Sequence, residues 1–174
     1  MSSTGSSRGN PAMADIVRSM VVIALIILAV YGIGKFFTTD GGDPVKPVDY
    51  ARVVEQARPA ADFPLAAPET LPTGWRANSA RFQTNAWHLG VLTDDDEYIG
   101  LEQVSTGPKA TIRRFAQGST ADGTVEIDGR TWDVRTGPDG RTTLVRTEDG
   151  ITTLVNGTAP RSVVEDYVAS LSES

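Results

Sequence analysis

One stretch decides the fold: TVEIDGRTWDVRTGPDGRTTLVRTEDGITTLVN, residues 124–156. Within it Asp-Gly recurs at 128–129, 139–140 and 149–150, at spacings of 11 and 10 residues. Asp-Gly supplies the positive φ that tight hairpin turns require, because glycine has no Cβ to clash and aspartate tolerates the left-handed region. Runs rich in Thr, Val, Leu and Trp fill the intervals, at 130–136, 141–147 and 151–156, with 124–127 ahead. Short β-favouring runs separated by hairpin signals predict a four-stranded antiparallel meander.

Downstream, residues 159–171 predict a helix. Thr158 can cap it and Pro160 suits its first turn. Val164, Tyr167, Val168 and Leu171 fall at i, i+3, i+4 and i+7, a single apolar stripe. Upstream, 75–82, 86–93 and 98–105 read as strands, the last two joined by the acidic tip Asp94-Asp95-Asp96-Glu97. Residues 108–117 read as a short helix that opens at Pro108 and stops at Gly118. The expected domain, 63–174, is therefore α+β: a mainly antiparallel sheet of about seven strands covered by a C-terminal amphipathic helix, in two layers.

Ahead of it, Thr38–Pro47 (TTDGGDPVKP) is a linker by composition, and 48–58 can form a short helix with Asp49 as its N-cap. Residues 38–62 are read as that tether. Met20–Gly34 carries no charge, and Met20–Phe37 would make about 27 Å of helix, near the hydrocarbon thickness of a bilayer. Its apolar residues surround the helix, unlike those of a surface-lying amphipathic segment. Residues 16–37 are thus expected to span the bilayer once, with 1–15 a disordered tail. Two readings compete: a buried core helix, against which the flanking tail and linker argue, and, more strongly, a cleaved signal peptide, since Gly32-Ile33-Gly34 offers small residues at alternate positions. Positive-inside counting, with Arg18 nearest the run, places the N-terminus in the cytoplasm and the domain outside.

Composition narrows the chemistry. Cysteine is absent, which excludes disulfides, thiolate nucleophiles and cysteine-ligated zinc. From Thr38 onward 21 acidic and 13 basic residues leave −8. Nucleic acid, whose phosphates demand a basic face, is therefore not an expected partner.

His88 is the only histidine. As a triad base it would need a serine near it and a carboxylate behind it, and no Gly-x-Ser-x-Gly elbow presents that serine. It reads as a strand histidine between Trp87 and Leu89. The tip 94–97 departs from an EF-hand: the fifth, sixth and twelfth positions counted from Asp94 hold Tyr98, Ile99 and Ser105. A solvated hairpin tip is expected there. Phosphate-cradling glycine motifs are missing. Asn156-Gly157-Thr158 is formally a glycosylation sequon but reads as a turn and cap, and Arg113-Arg114 as a solvated helix face. Of Trp75, Trp87 and Trp132, two are expected in the core and one available for recognition. No catalytic residue, cofactor ligand or metal ligand is assigned.

Leu71-Pro-Thr-Gly-Trp75-Arg, Trp87-His88-Leu89-Gly90, Gly100-Leu-Glu-Gln103, Asp128-Gly129-Arg130-Thr131-Trp132 and Asn156-Gly157-Thr158 with the helix after it form a pattern. Together they resemble an actinobacterial membrane-protein family of unknown function, DUF4245, from the anchor through Leu171. The resemblance implies an N-terminal transmembrane helix and an extracytoplasmic domain, and carries no activity or catalytic residue. The last hairpin and helix are also similar to modules of bacterial envelope-stress and sporulation sensors. The expected function is a membrane-anchored, non-enzymatic envelope module. It would meet the lipid bilayer through 16–37 and a protein, peptide or glycan through its domain. A hydrolase-like enzyme and a sensor acting through a lateral membrane partner are the alternatives.

Overall fold

The computed structural model describes residues 47–173 together with Met20 and Ile23. Among them no helix is long and apolar enough to cross a membrane. The segment expected to span it, 16–37, and the tail before it lie outside the described residues save Met20 and Ile23, both helical and exposed.

The stretch 124–156 folds as its turns dictate. Strands β5 (Thr120–Ile127), β6 (Arg130–Thr136), β7 (Thr142–Glu148) and β8 (Ile151–Gly157) pair antiparallel in sequence order. Asp128 and Gly129 sit at φ 49° and 71°, and Asp149 and Gly150 at 48° and 81°, the paired left-handed residues of tight hairpins. The middle turn differs because Pro138 holds φ near −65° and begins it right-handed. Only Gly140 is left-handed there, at φ 79°, and the loop is closed by Gly140 N–H donating to the Gly137 carbonyl at 3.0 Å.

A second set of strands, β2 (Arg76–Gln83), β3 (Ala86–Leu92) and β4 (Tyr98–Val104), joins the meander through β4 and β8. The result is one seven-stranded antiparallel sheet in the order β2-β3-β4-β8-β7-β6-β5. The chain leaves β4 for the far edge and returns strand by strand.

Alternation assigns the faces. Leu89, Leu101, Val155 and Leu144 stand in cross-strand register and are fully buried. Helix α3 (Arg161–Ala169) lays Val164, Tyr167 and Val168 on this face, and α1 (Tyr50–Ala57) adds Val54 and Ala57 to the same core. Asp49 caps α1, its Oδ1 accepting from Arg52 N–H at 3.2 Å. The compact unit consequently runs Val45–Ser174, and the tether expected over 38–62 ends in a helix that belongs to the core.

Three features depart from expectation. First, α2 (Pro108–Phe115) packs Ile112 and Phe115 with Ala116 against Val145 and Leu154, which point away from the main core. The sheet is therefore clad on both faces, in three layers rather than two. Second, the C-terminal helix is shorter than 159–171. Pro160 is its N-cap residue, and Thr158 does not cap it. Instead Thr158 exchanges hydrogen bonds with Tyr98, its Oγ1 accepting from Tyr98 N–H and its N–H donating to the Tyr98 carbonyl, at 3.0 and 2.9 Å. Third, Leu171 is extended. It opens β9 (Leu171–Glu173), which pairs with β1 (Ala66–Pro68). Backbone pairing there, with the Ser170 hydroxyl donating to the Tyr167 carbonyl at 2.7 Å, replaces another half turn of helix. The two short strands are tied to the sheet by side chains. Ala66 N–H donates to Gln103 Oε1 at 2.7 Å, and Trp87 Nε1–H donates to the Ala66 carbonyl at 2.8 Å.

Candidate functional site

The alternation that buries Trp87, Leu89 and Val91 turns Ala86, His88 and Gly90 to the opposite face. A two-residue turn, Thr84-Asn85, sets the register of β2 on β3: Gln83 opposes Ala86, Arg81 opposes His88 and Ser79 opposes Gly90. On the other side His88 opposes Glu102. Three adjacent strands thereby bring Ser79, His88 and Glu102 together.

His88 Nδ1 lies 2.6 Å from Glu102 Oε1, and Ser79 Oγ lies 2.9 Å from His88 Nε2. The side chains of His88 and Glu102 are only 16% and 14% exposed. An ionised carboxylate can only accept, so in the neutral imidazole Nδ1 carries the proton and Nε2 accepts from the Ser79 hydroxyl. Asn78 Oδ1, 3.2 Å from the same oxygen, is the competing acceptor. It stands at a β-bulge, where the register shifts between Ala77 and Ser79.

Glycine makes the space. A Cβ on Gly90 would lie 2.3 Å from Ser79 Oγ and 2.5 Å from Asn78 Oδ1. Opposite it, a Cβ on Gly100 would lie 2.8 Å from the Tyr98 hydroxyl. Burial pushes the Tyr98 hydroxyl pKa up, the Glu102 carboxylate adds to that, and Arg141 acts the other way. Tyr98 is thus held as a neutral phenol beside the row.

Beside His88 and Glu102, on the side away from Ser79, opens a cleft of about 60 Å³ lined also by Arg81, Gln83, Arg114 and Phe115. Arg114 lies 5.0 Å over the Phe115 ring, and Arg81 makes no ion pair among the described residues. A larger cleft of about 290 Å³ on the core side, lined by Gln103, Arg130, Arg146 and Glu173, contrasts with it. There Arg146 bonds Glu148 and Glu173 at 2.6 Å each, and Arg130 bonds Glu173 at 3.2 Å. Both of its guanidiniums are thus paired with carboxylates, whereas Arg81 beside His88 has no ion pair among the described residues.

The other residues singled out above are structural in their contacts. Arg76 pairs with Asp96 of the acidic tip, and no group of three metal-ligating side chains occurs among the described residues. Asn156 Nδ2 donates to the Phe115 carbonyl at 2.8 Å and fastens α2 to the sheet. Trp87 and Trp132 are in the core as expected. Trp75 is half-buried and stacks on Tyr167 with centroids 6.3 Å apart. The tryptophans therefore form no exposed patch. Arg113 stays exposed, while its neighbour Arg114 joins the cleft.

A family model matches residues 8–171. The chain belongs to DUF4245, a family of proteins of unknown function. No curated protein matches it. For this DUF4245 chain the geometry supplies what the sequence withheld, a serine on one side of His88 and a carboxylate on the other. The signal that could have found Ser79 is the two-residue turn. Counting back from it places Arg81 opposite His88 and Ser79 on the same face two residues on.

Proposed function

We propose that this DUF4245 chain is a membrane-anchored envelope protein whose domain stands outside the cytoplasm and binds a partner through the open face of β2, β3 and β4. One observation carries the reading. Ser79, His88 and Glu102 form a hydrogen-bonded row on a face where α2 packs on β7 and β8 and reaches the row's edge only with Arg114 and Phe115. Half-buried polar groups held in fixed geometry beside a cleft are what a recognition surface needs, because their ordering is complete before the partner arrives. The mixture of hydroxyl, imidazole, carboxylate and guanidinium suits a polar partner such as a glycan or a peptide. The anchor reading rests on the uncharged run Met20–Gly34.

Site-specific photo-crosslinking in native membranes tests this. A photoreactive residue at Arg81 should give a discrete adduct, and one at Thr131, exposed on β6, should not. Adducts from position 131 with none from 81 would move the working surface to the far edge.

A further inference from the structure

Binding needs only a polar face, yet the row of Ser79, His88 and Glu102 has a more specific order: hydroxyl, imidazole, carboxylate. We propose that Ser79 is a nucleophile, His88 its general base and Glu102 the residue that positions His88, and that the face hydrolyses short acyl esters. The proposal goes beyond partner binding but uses the same face.

Two distances make the relay. Ser79 Oγ is 2.9 Å from His88 Nε2, and His88 Nδ1 is 2.6 Å from Glu102 Oε1, both within the range in which a base takes a proton and a carboxylate orients it. The three residues come from three different strands, and the Thr84-Asn85 turn accounts for the Ser79–His88 pair but not for Glu102, which β4 supplies. Gly90 is a further sign. Only a residue without a Cβ leaves Ser79 Oγ where it is, since a Cβ there would approach it to 2.3 Å. The cleft of about 60 Å³ lies on the Arg81, His88 and Glu102 side of the row and is not lined by Ser79, so it would take only a small group of an ester whose carbonyl lies at Ser79. Arg81 opposes His88, lies two residues from Ser79 on the same face, and has no ion pair among the described residues. Its guanidinium is the available positive charge for a developing oxyanion.

In the acylation step the Ser79 hydroxyl proton passes to His88 Nε2 while Oγ bonds to the ester carbonyl carbon. The tetrahedral intermediate expels the alcohol, which takes the proton from Nε2 as its bond to carbon breaks. Water then attacks the acyl-serine and gives one proton to His88. That proton returns to Ser79 Oγ as the carboxylic acid leaves. Ester and water become acid and alcohol, with no other reactant.

The full chain in detergent, treated with a fluorophosphonate probe and mapped by peptide mass spectrometry, tests the relay. A single adduct on Ser79 is expected, absent after denaturation and after Ser79→Ala. His88→Gln should slow labelling at least tenfold with an unchanged melting temperature, and wild-type chain should turn over p-nitrophenyl acetate. Glu102→Gln should slow labelling and also change the shape of its pH profile, which a merely structural carboxylate would not do. Where His88→Gln unfolds the domain, Ser79→Ala, the milder change, decides. No adduct on the folded wild type, an adduct elsewhere, or labelling of Ser79 that ignores His88 overturns the proposal. Crosslinking from position 81 that persists in Ser79→Ala would then show that the binding reading stands without catalysis.

Discussion

At the scale of single residues, the side chains that matter most are those whose neighbours leave them one arrangement. Tyr167 of α3 is buried with its hydroxyl unpaired among the described residues, and burial first, then the neighbouring Tyr50 and Tyr98, push its pKa far above the ordinary 10.0. An unfolded chain releases the phenolic proton near pH 10, whereas the folded chain keeps it. Stability is therefore fully present below that pH and falls as pH rises above it. Tyr167→Phe should shallow this alkaline decline without abolishing it, since Tyr50 and Tyr98 are also raised by burial. Denaturant titrations from pH 8 to 11 read the slope, and an unchanged slope would show that Tyr167 ionises freely in the fold. Gly90→Ala is the converse test, of crowding. Overpacking of this kind costs roughly 1–3 kcal/mol, and the added methyl should displace Ser79 from His88. His88 was conspicuous in the sequence as a lone histidine, but its partners were not. Ser79 and Glu102 are ordinary residues until the register of β2 and β4 is known, and register is a property of pairing, not of composition.

At the scale of elements, local chemistry and long-range pairing divided the information. The Asp-Gly turns declared β5 to β8, because a left-handed pair is required at one place and is spelled there. The 139–140 turn kept its hairpin but changed type, since Pro138 acts before Asp139 does. Strands β1 and β9 were illegible: three residues carry no period, and Ala66 finds its partners in Gln103 and Trp87 far along the chain. The helix stripe was legible through Val168 and misleading at Leu171, which the pairing with Pro68 draws into β9. Burying one such apolar side chain contributes roughly 1.5–3 kcal/mol against a domain stability of about 5–15 kcal/mol. Val164 is fully buried, and Val164→Asp should prevent cooperative unfolding altogether, seen as loss of the thermal transition. Leu171→Ala, at a half-buried strand residue, should lower the melting temperature measurably less than Val168→Ala. Equal losses would mean that β9 carries as much of the core as α3.

For the whole molecule, the order β2-β3-β4-β8-β7-β6-β5 is the feature that creates the site, and the sequence did not disclose it. Joining β4 to β8 puts α2 over β7 and β8 and leaves His88 at its margin, beside Arg114 and Phe115. The acidity of the chain argued against nucleic acid, and the cleft adds a local basic group without reversing that balance. The run Met20–Gly34 lets the second unit of the molecule be tested without reference to the domain. Carbonate and high-salt washing should leave the full chain with membranes, and detergent should release it. Recovery of a shortened soluble form beginning near Lys35 would identify a cleaved signal instead of an anchor.

The single histidine makes one measurement decisive for the account of the site. Long-range nitrogen-edited NMR of the full chain in micelles reads both ring nitrogens of His88 with no overlap from another imidazole. For the neutral imidazole the geometry predicts one tautomer, with the proton on Nδ1 facing Glu102 and Nε2 accepting from Ser79, and a change in that preference in Glu102→Gln. A proton on Nε2, or rapid averaging of tautomers that Glu102→Gln leaves unaltered, would contradict the ordered row on which both the binding face and the relay depend.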